Sequence, residues 1–135
     1  MIITIKSKIT NEVLFMGHTT NLAGTNLAGT NLTNTDLRNV DLRRADLTTA
    51  DLTGADLTGA NLTYADLVGA NLTNANLTGA NLTNANLTCA NLTGADFGGA
   101  CLANVTVTGA VFTDVKGLAP EHLKAQPATK QGPVE

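Results

Sequence analysis

Between Asn21 and Asp114 an apolar side chain returns at every fifth position: Leu from Leu22 to Leu92 without a break, then Phe97, Leu102, Val107 and Phe112. Two residues ahead of each stands a small one, Ala at most positions from Ala45 onward and Thr at Thr20, Thr25, Thr30 and Thr35. The residue between the two is Asn or Asp as far as Asp96. Positions two apart on an extended segment point to one side, so the small residue and the Leu share an interior while Asn or Asp faces water. A period of five matches neither an amphipathic helix nor a long alternating strand. Self-similarity at a fixed period is the signature of a repeat architecture. Each unit predicts a brief extended piece followed by a bend.

Two residues after each apolar centre comes Gly, as at Gly24, Gly59 and Gly99, or Asn, as at Asn34, Asn74 and Asn104. Both tolerate positive φ, which the second central position of a type II turn requires. The chain should therefore turn a corner every five residues. Arg44, Thr49, Tyr64 and Cys89 hold the same position and meet steric resistance there, so a different turn with negative φ is expected at these four.

The period alone does not say how many corners close a coil. The motif Ala, then Asp or Asn, then Leu and two variable residues, held through nineteen consecutive units, resembles the pentapeptide repeat family. The resemblance covers residues 20–115. It implies an all-β fold, a right-handed quadrilateral β-helix with four units per coil and about five coils. Under it Leu32 stacks on Leu52, Leu72 and Leu92, while outward Asn61 over Asn81 and Asn71 over Asn91 form side-chain ladders.

A solenoid needs caps at its open ends. Residues 1–19 carry Ile2-Ile3-Thr4-Ile5 and Glu12-Val13-Leu14-Phe15 around Thr10-Asn11, which predicts a β-hairpin lid over the first coil. The hydroxyls of Thr20, Thr25, Thr30 and Thr35 are expected to satisfy backbone groups beneath it. Residues 116–126 place Pro120 ahead of Glu121, His122, Leu123, Lys124 and Ala125, a short capping helix with Pro in its first turn. Residues 127–135, with two prolines and few apolar side chains, read as a disordered tail.

Composition excludes more than it names. With 135 residues there is room for one domain, and three Phe, one Tyr and no Trp are too few for an aromatic core. No run approaches the ~18 apolar residues of a membrane span, and no secretory leader is visible. The expected location is cytoplasmic, without a membrane partner. A net charge of −3 lacks the basic face of a nucleic-acid binder. Ser7 is the single serine, and His18 and His122 stand near opposite ends, so no nucleophile has a base within reach. Asp36, Asp41, Asp46, Asp51, Asp56 and Asp66 are spread around the coils rather than gathered in a cleft. No catalytic residue, cofactor or metal site is expected. In the four-sided register that the resemblance implies, Cys89 and Cys101 fall at diagonally opposite corners, beyond the ~7 Å Cα limit of a disulfide, and should be free thiols.

What remains is surface. Arg38, Arg43 and Arg44 join the Asp run in a charged girdle, whereas residues 67–95 carry no charge at all. With the four units per coil that the resemblance implies, Thr33, Thr53, Thr73, Thr93 and Thr113 share one face and form an unbroken rank, with Asn71 and Asn91 beside it. Thr33, Thr53, Thr73 and Thr93, with Asn71 and Asn91, are the candidate interaction surface. The leading expectation is a non-enzymatic rigid scaffold or protein-interaction module, a monomer or weak dimer, whose protein partner the sequence does not name. Two alternatives follow from resemblance. Acidic family members mimic DNA and bind DNA gyrase, but duplex DNA carries a charge every ~1.7 Å, while here the seven Asp from Asp36 to Asp96 are partly offset by three Arg. The Thr rank is similar to ice-binding surfaces, yet its neighbouring rank is the mixed set Asn31, Asp51, Asn71, Asn91 and Val111.

Overall fold

All five backbone N–H groups of a repeat find acceptors, and where they point sets the architecture. The computed structural model describes residues 3–7, 13–17 and 20–118, and residues 51–55 serve as the example. The Asp51 N–H donates to the Thr30 carbonyl of the preceding coil at 2.9 Å, while those of Leu52 and Gly54 donate to Asn71 and Thr73 of the next coil at 2.7 and 2.9 Å. The Ala55 N–H closes the corner on the Leu52 carbonyl at 3.0 Å. The Thr53 N–H goes to Oδ1 of Asp51 at 3.1 Å. Asn or Asp thus precedes Leu for a backbone reason: its oxygen accepts an N–H that would otherwise go unpaired within the repeat.

Parallel bridges join residues twenty apart on every side of the rod, as in Asn21–Asp41, Asn26–Asp46, Asn31–Asp51 and Asp36–Asp56. Four repeats therefore make one coil. Coils stack at the ~4.8 Å spacing of neighbouring strands. The Leu columns, Leu32 to Leu92 and Leu42 to Leu82 among them, are buried along with nearly all the Ala from Ala45 to Ala110. Phe97 and Phe112 take Leu positions in the last coils and are equally enclosed. Burial of a Leu stabilises by roughly 1.5–3 kcal/mol, so the columns hold the rod while the ladders fix its register.

Every corner is of one kind, and here the expectation from sequence fails. Positive φ runs through all the second turn positions, including Arg44 (59°), Thr49 (58°), Tyr64 (60°) and Cys89 (59°). The reason is coupling to the neighbouring coil. The Thr49 N–H donates to Val68 of the next coil at 2.9 Å and the Ala50 N–H closes on Leu47 at 3.0 Å. A left-handed residue costs roughly 1–2 kcal/mol, whereas a different turn would lose both bonds, at about 0.5–1.5 kcal/mol each, and shift the Leu column as well. The ladder overrules the side chain.

The expected Asn ladders also give way. Oδ1 of Asn61 accepts the Thr63 N–H (3.1 Å) and hydroxyl (2.6 Å), and Oδ1 of Asn71 serves Thr73 in the same way at 3.0 and 2.6 Å. Stacked Asn residues are joined through their backbones, and their side-chain oxygens are spent locally.

At the N-terminal end, β1 (Ile3–Ser7) and β2 (Val13–Gly17) pair antiparallel, Ile3 opposite Gly17 and Ile5 opposite Phe15, with a bulge after Ile5. The other edge of β1 pairs antiparallel with β3 (Thr30–Asn31) of the first coil, in the order β2-β1-β3. The hairpin thus extends the edge of one side of the first coil as a sheet. Thr30 is buried there and its hydroxyl donates to the Leu27 carbonyl at 2.7 Å, the backbone use expected for this Thr. At the other end Lys116 bridges to Asp96, Leu118 is buried, and Gly117 (φ 77°) crosses so close to Gly98 that a Cβ would strike its backbone. The expected helix at 116–126 falls almost wholly, and the tail at 127–135 wholly, outside the described residues.

Candidate interaction surface

One side of the rod is built on Leu32, Leu52, Leu72, Leu92 and Phe112, and the residue after each is Thr33, Thr53, Thr73, Thr93 and Thr113. The candidate residues therefore do share one face. Thr33 is exposed and the others are half-buried, as are Asn71 and Asn91, which a parallel bridge joins. The hydroxyls of Thr53, Thr73 and Thr93 donate to Oδ1 of Asp51, Asn71 and Asn91, each at 2.6 Å. These bonds hold each Thr in one rotamer. At Thr33 the matching contact is made by the N–H, at 3.0 Å from Asn31 Oδ1. Thr113 follows Val111, which offers no such oxygen.

The charged girdle is more neutral than its composition suggests. Arg38 grips Asp36 with both ends of its guanidinium (2.9 and 2.8 Å) and reaches Asp56 at 4.0 Å. Arg43 grips Asp41 in the same way, at 2.9 and 2.6 Å. The guanidinium hydrogen bonds, helped by the backbone N–H of the same Arg, hold the carboxyls of Asp36 and Asp41 down at about 2. The Thr48 hydroxyl, then its N–H, lowers Asp46. Arg44 behaves differently, lying over the Tyr64 ring at 4.5 Å from its centroid. The sequence does carry a signal for the forks, Arg two residues after Asp, but the neutralisation follows only once Oδ1 is seen to point along the chain.

Cys89 and Cys101 are both free and exposed. Cys101 stands where other repeats have Asn or Asp, with Sγ 3.3 Å from Thr83 Oγ1. The Thr83 hydroxyl and the Ala103 N–H draw its thiol below the usual range. Among the described residues no three His, Cys, Asp or Glu side chains are placed to hold a metal. No helix among them is long and apolar enough to cross a membrane. His18 and His122 lie outside the described residues.

Coils of four five-residue units, an interior mostly of Leu and Ala and an outward Asn or Asp in each unit as far as Asp96 define a quadrilateral β-helix of the repeat-protein class. The family model for pentapeptide repeats, in eight copies, matches residues 20–54, 50–88 and 90–116, and the chain belongs to that family. Among solved structures it is similar to a pentapeptide repeat protein from the thylakoid lumen of Arabidopsis thaliana, with 40% identity over 75% of this chain and 70% of that one, and a TM-score of 0.71. It is also similar to HetL, a pentapeptide repeat protein involved in heterocyst differentiation regulation from the cyanobacterium Nostoc sp. strain PCC 7120, with 46% identity and a TM-score of 0.57. That match covers 59% of this chain, which spans only 37% of HetL. QnrB1, a plasmid-mediated fluoroquinolone resistance protein, aligns at 18% identity with a TM-score of 0.30 over 82% of this chain and 77% of its own, too distant to bear on function. Among curated proteins the comparison found no match.

Proposed function

We propose that this chain is a non-enzymatic scaffold that binds a protein partner through its Thr wall, centred on Thr73 and Thr93 with Asn71 and Asn91. The observation that carries the reading is the pinning of the Thr53, Thr73 and Thr93 hydroxyls at 2.6 Å. A surface whose side chains are already held in place loses little rotamer freedom on docking. Residues 67–95 add no charge to desolvate. The DNA-mimic alternative is disfavoured by the same electrostatics, since two of the acidic girdle's carboxylates are already gripped by Arg38 and Arg43. A cytoplasmic location belongs to the proposal, and fractionation of the native host checks it.

The test is a binding assay with a partner captured from the native host and then purified. Thr73→Lys and Thr93→Lys each set a solvated charge into the contact and should weaken binding by at least about tenfold. Asn in place of Asp46, Asp51 and Asp56 together should leave it unchanged. Binding that survives the Lys changes and collapses on the Asn changes overturns the proposal in favour of electrostatic mimicry.

A further inference from the structure

Three of the four corners are kept low. A corner side chain in the left-handed conformation is followed one coil later by glycine: Asn34 by Gly54, Asn39 by Gly59, Thr49 by Gly69, Asn74 by Gly94 and Cys89 by Gly109. A Cβ at Gly54, Gly59 or Gly94 would strike Oδ1 of the preceding Asn. The remaining corner, between the sides centred on Leu42 and Leu47, breaks this alternation. Arg44, Tyr64, Asn84 and Asn104 succeed one another there with no glycine among them. The guanidinium of Arg44 lies 4.5 Å from the centroid of the Tyr64 ring. Tyr64 is 51% exposed, the one large exposed apolar side chain among the described residues. The turn requires neither, because glycine or asparagine makes it with less strain.

Charge is unbalanced on either side of this ridge. Arg38 and Arg43 are paired with carboxylates, and Arg44 has no ion pair among the described residues. Two residues beyond it stands Asp46, bridged through the backbone to Asp66. Neither carboxylate meets a cation among the described residues; their Oδ1 atoms accept from Thr48 and Val68 instead. One corner of neighbouring coils therefore carries an unpaired guanidinium, an exposed aromatic edge and two stacked carboxylates.

We propose that this corner is a self-association surface, at which two copies pack side by side and antiparallel about a two-fold axis near Tyr64. Each Arg44 then meets the partner's Asp46 and Asp66, and the two Tyr64 rings meet at the axis. A two-fold contact demands a patch that complements itself, and this patch carries both charges flanking an aromatic centre. Tyr and Arg are the side chains that most often anchor interfaces. The occupant is a second copy rather than an acidic partner because the carboxylates that would repel such a partner are the ones that complete the symmetric contact. The two sides that meet at this ridge, those of Leu42 and Leu47, do not include the Thr wall, so the wall of each copy stays open in the dimer, and the inference stands whether or not the wall binds anything.

Sedimentation velocity of the full chain from micromolar to millimolar concentration tests this. The wild type should form a dimer that weakens as salt rises. Tyr64→Gly and Arg44→Gly should each weaken it by about tenfold or more, with the melting temperature unchanged or raised because glycine suits the turn. Arg44→Asp and Asp66→Arg should each abolish the dimer, and the two together should restore it. A wild type that stays monomeric throughout, glycine variants that dimerise normally, or a double variant that recovers nothing overturns the proposal. Should a glycine variant fail to fold, the reciprocal charge pair decides by the same two outcomes.

Discussion

Thr49 sits at φ 58°, a conformation that its β-branched side chain resists. Its N–H still reaches Val68 in the next coil, so the strain is held in place by the register of the whole side. Asn tolerates the same conformation, and Gly69 follows one coil on to leave it room. Thr49→Asn should therefore raise stability by about 0.5–1 kcal/mol, read from urea titration. A loss of that size would mean that contacts of the Thr49 side chain outweigh its strain. Charge acts at this scale too. Asp36 and Asp41 are held at about 2 in the folded chain by their Arg partners, below the ~3.9 of a free Asp. Their contribution is therefore fully present above about pH 4 and disappears as pH falls toward 2. It is small, because both forks are solvent-screened. A chain carrying Asp36→Asn and Asp41→Asn should show a flatter fall in stability over that acid range. Parallel curves for the two proteins would contradict the assignment.

At the level of the repeat, two side chains carry the structure in different ways. Leu72 fills the interior, and Leu72→Ala should cost about 2–5 kcal/mol through lost burial and a cavity. Asn71 supplies the acceptor for both Thr73 donors, so Asn71→Ala should cost roughly 0.5–1.5 kcal/mol, while Asn71→Asp keeps the oxygen and most of the stability. Differential scanning calorimetry of the three variants checks the order. Equal losses for the two Ala variants would show that the interior has been misassigned. This contrast also marks what the sequence could reveal. The columns were legible because Leu and Ala two apart must share a side. The outward place of Asn was legible as well, but its work was not, because the repeat pattern alone suggests stacking between coils and the Thr73 N–H claims the oxygen first. The corners misled for a related reason. Residue preference at Thr49 or Tyr64 is local, whereas the ladder that fixes φ is formed with residues about twenty positions away. At the rod's far end the requirement for glycine at Gly117 is equally distant in cause, since a Cβ there would strike the backbone of Gly98 one coil back.

Over the whole molecule, this is a rod whose coils touch only their neighbours, with a charged girdle from Asp36 to Asp66 followed by the uncharged residues 67–95. A repeat protein of this kind acts through its faces, and fold alone does not choose among them. The uncharged residues 67–95 could be picked out from the sequence directly, and the Thr rank once the family resemblance supplied four units per coil. The ridge at Arg44 and Tyr64 could not, because it shows only once Arg38 and Arg43 are seen paired with Asp and Arg44 is seen over the Tyr64 ring. Recognition through the uncharged wall, rather than through acidic mimicry of DNA, is the function we propose. The affinity of the purified partner, measured by calorimetry across a salt series spanning the physiological range, tests that most directly. Docking on the wall predicts a nearly flat dependence, with no inhibition of gyrase supercoiling in a parallel assay. An affinity that falls steeply and log-linearly with salt, as binding through many charges requires, would contradict it.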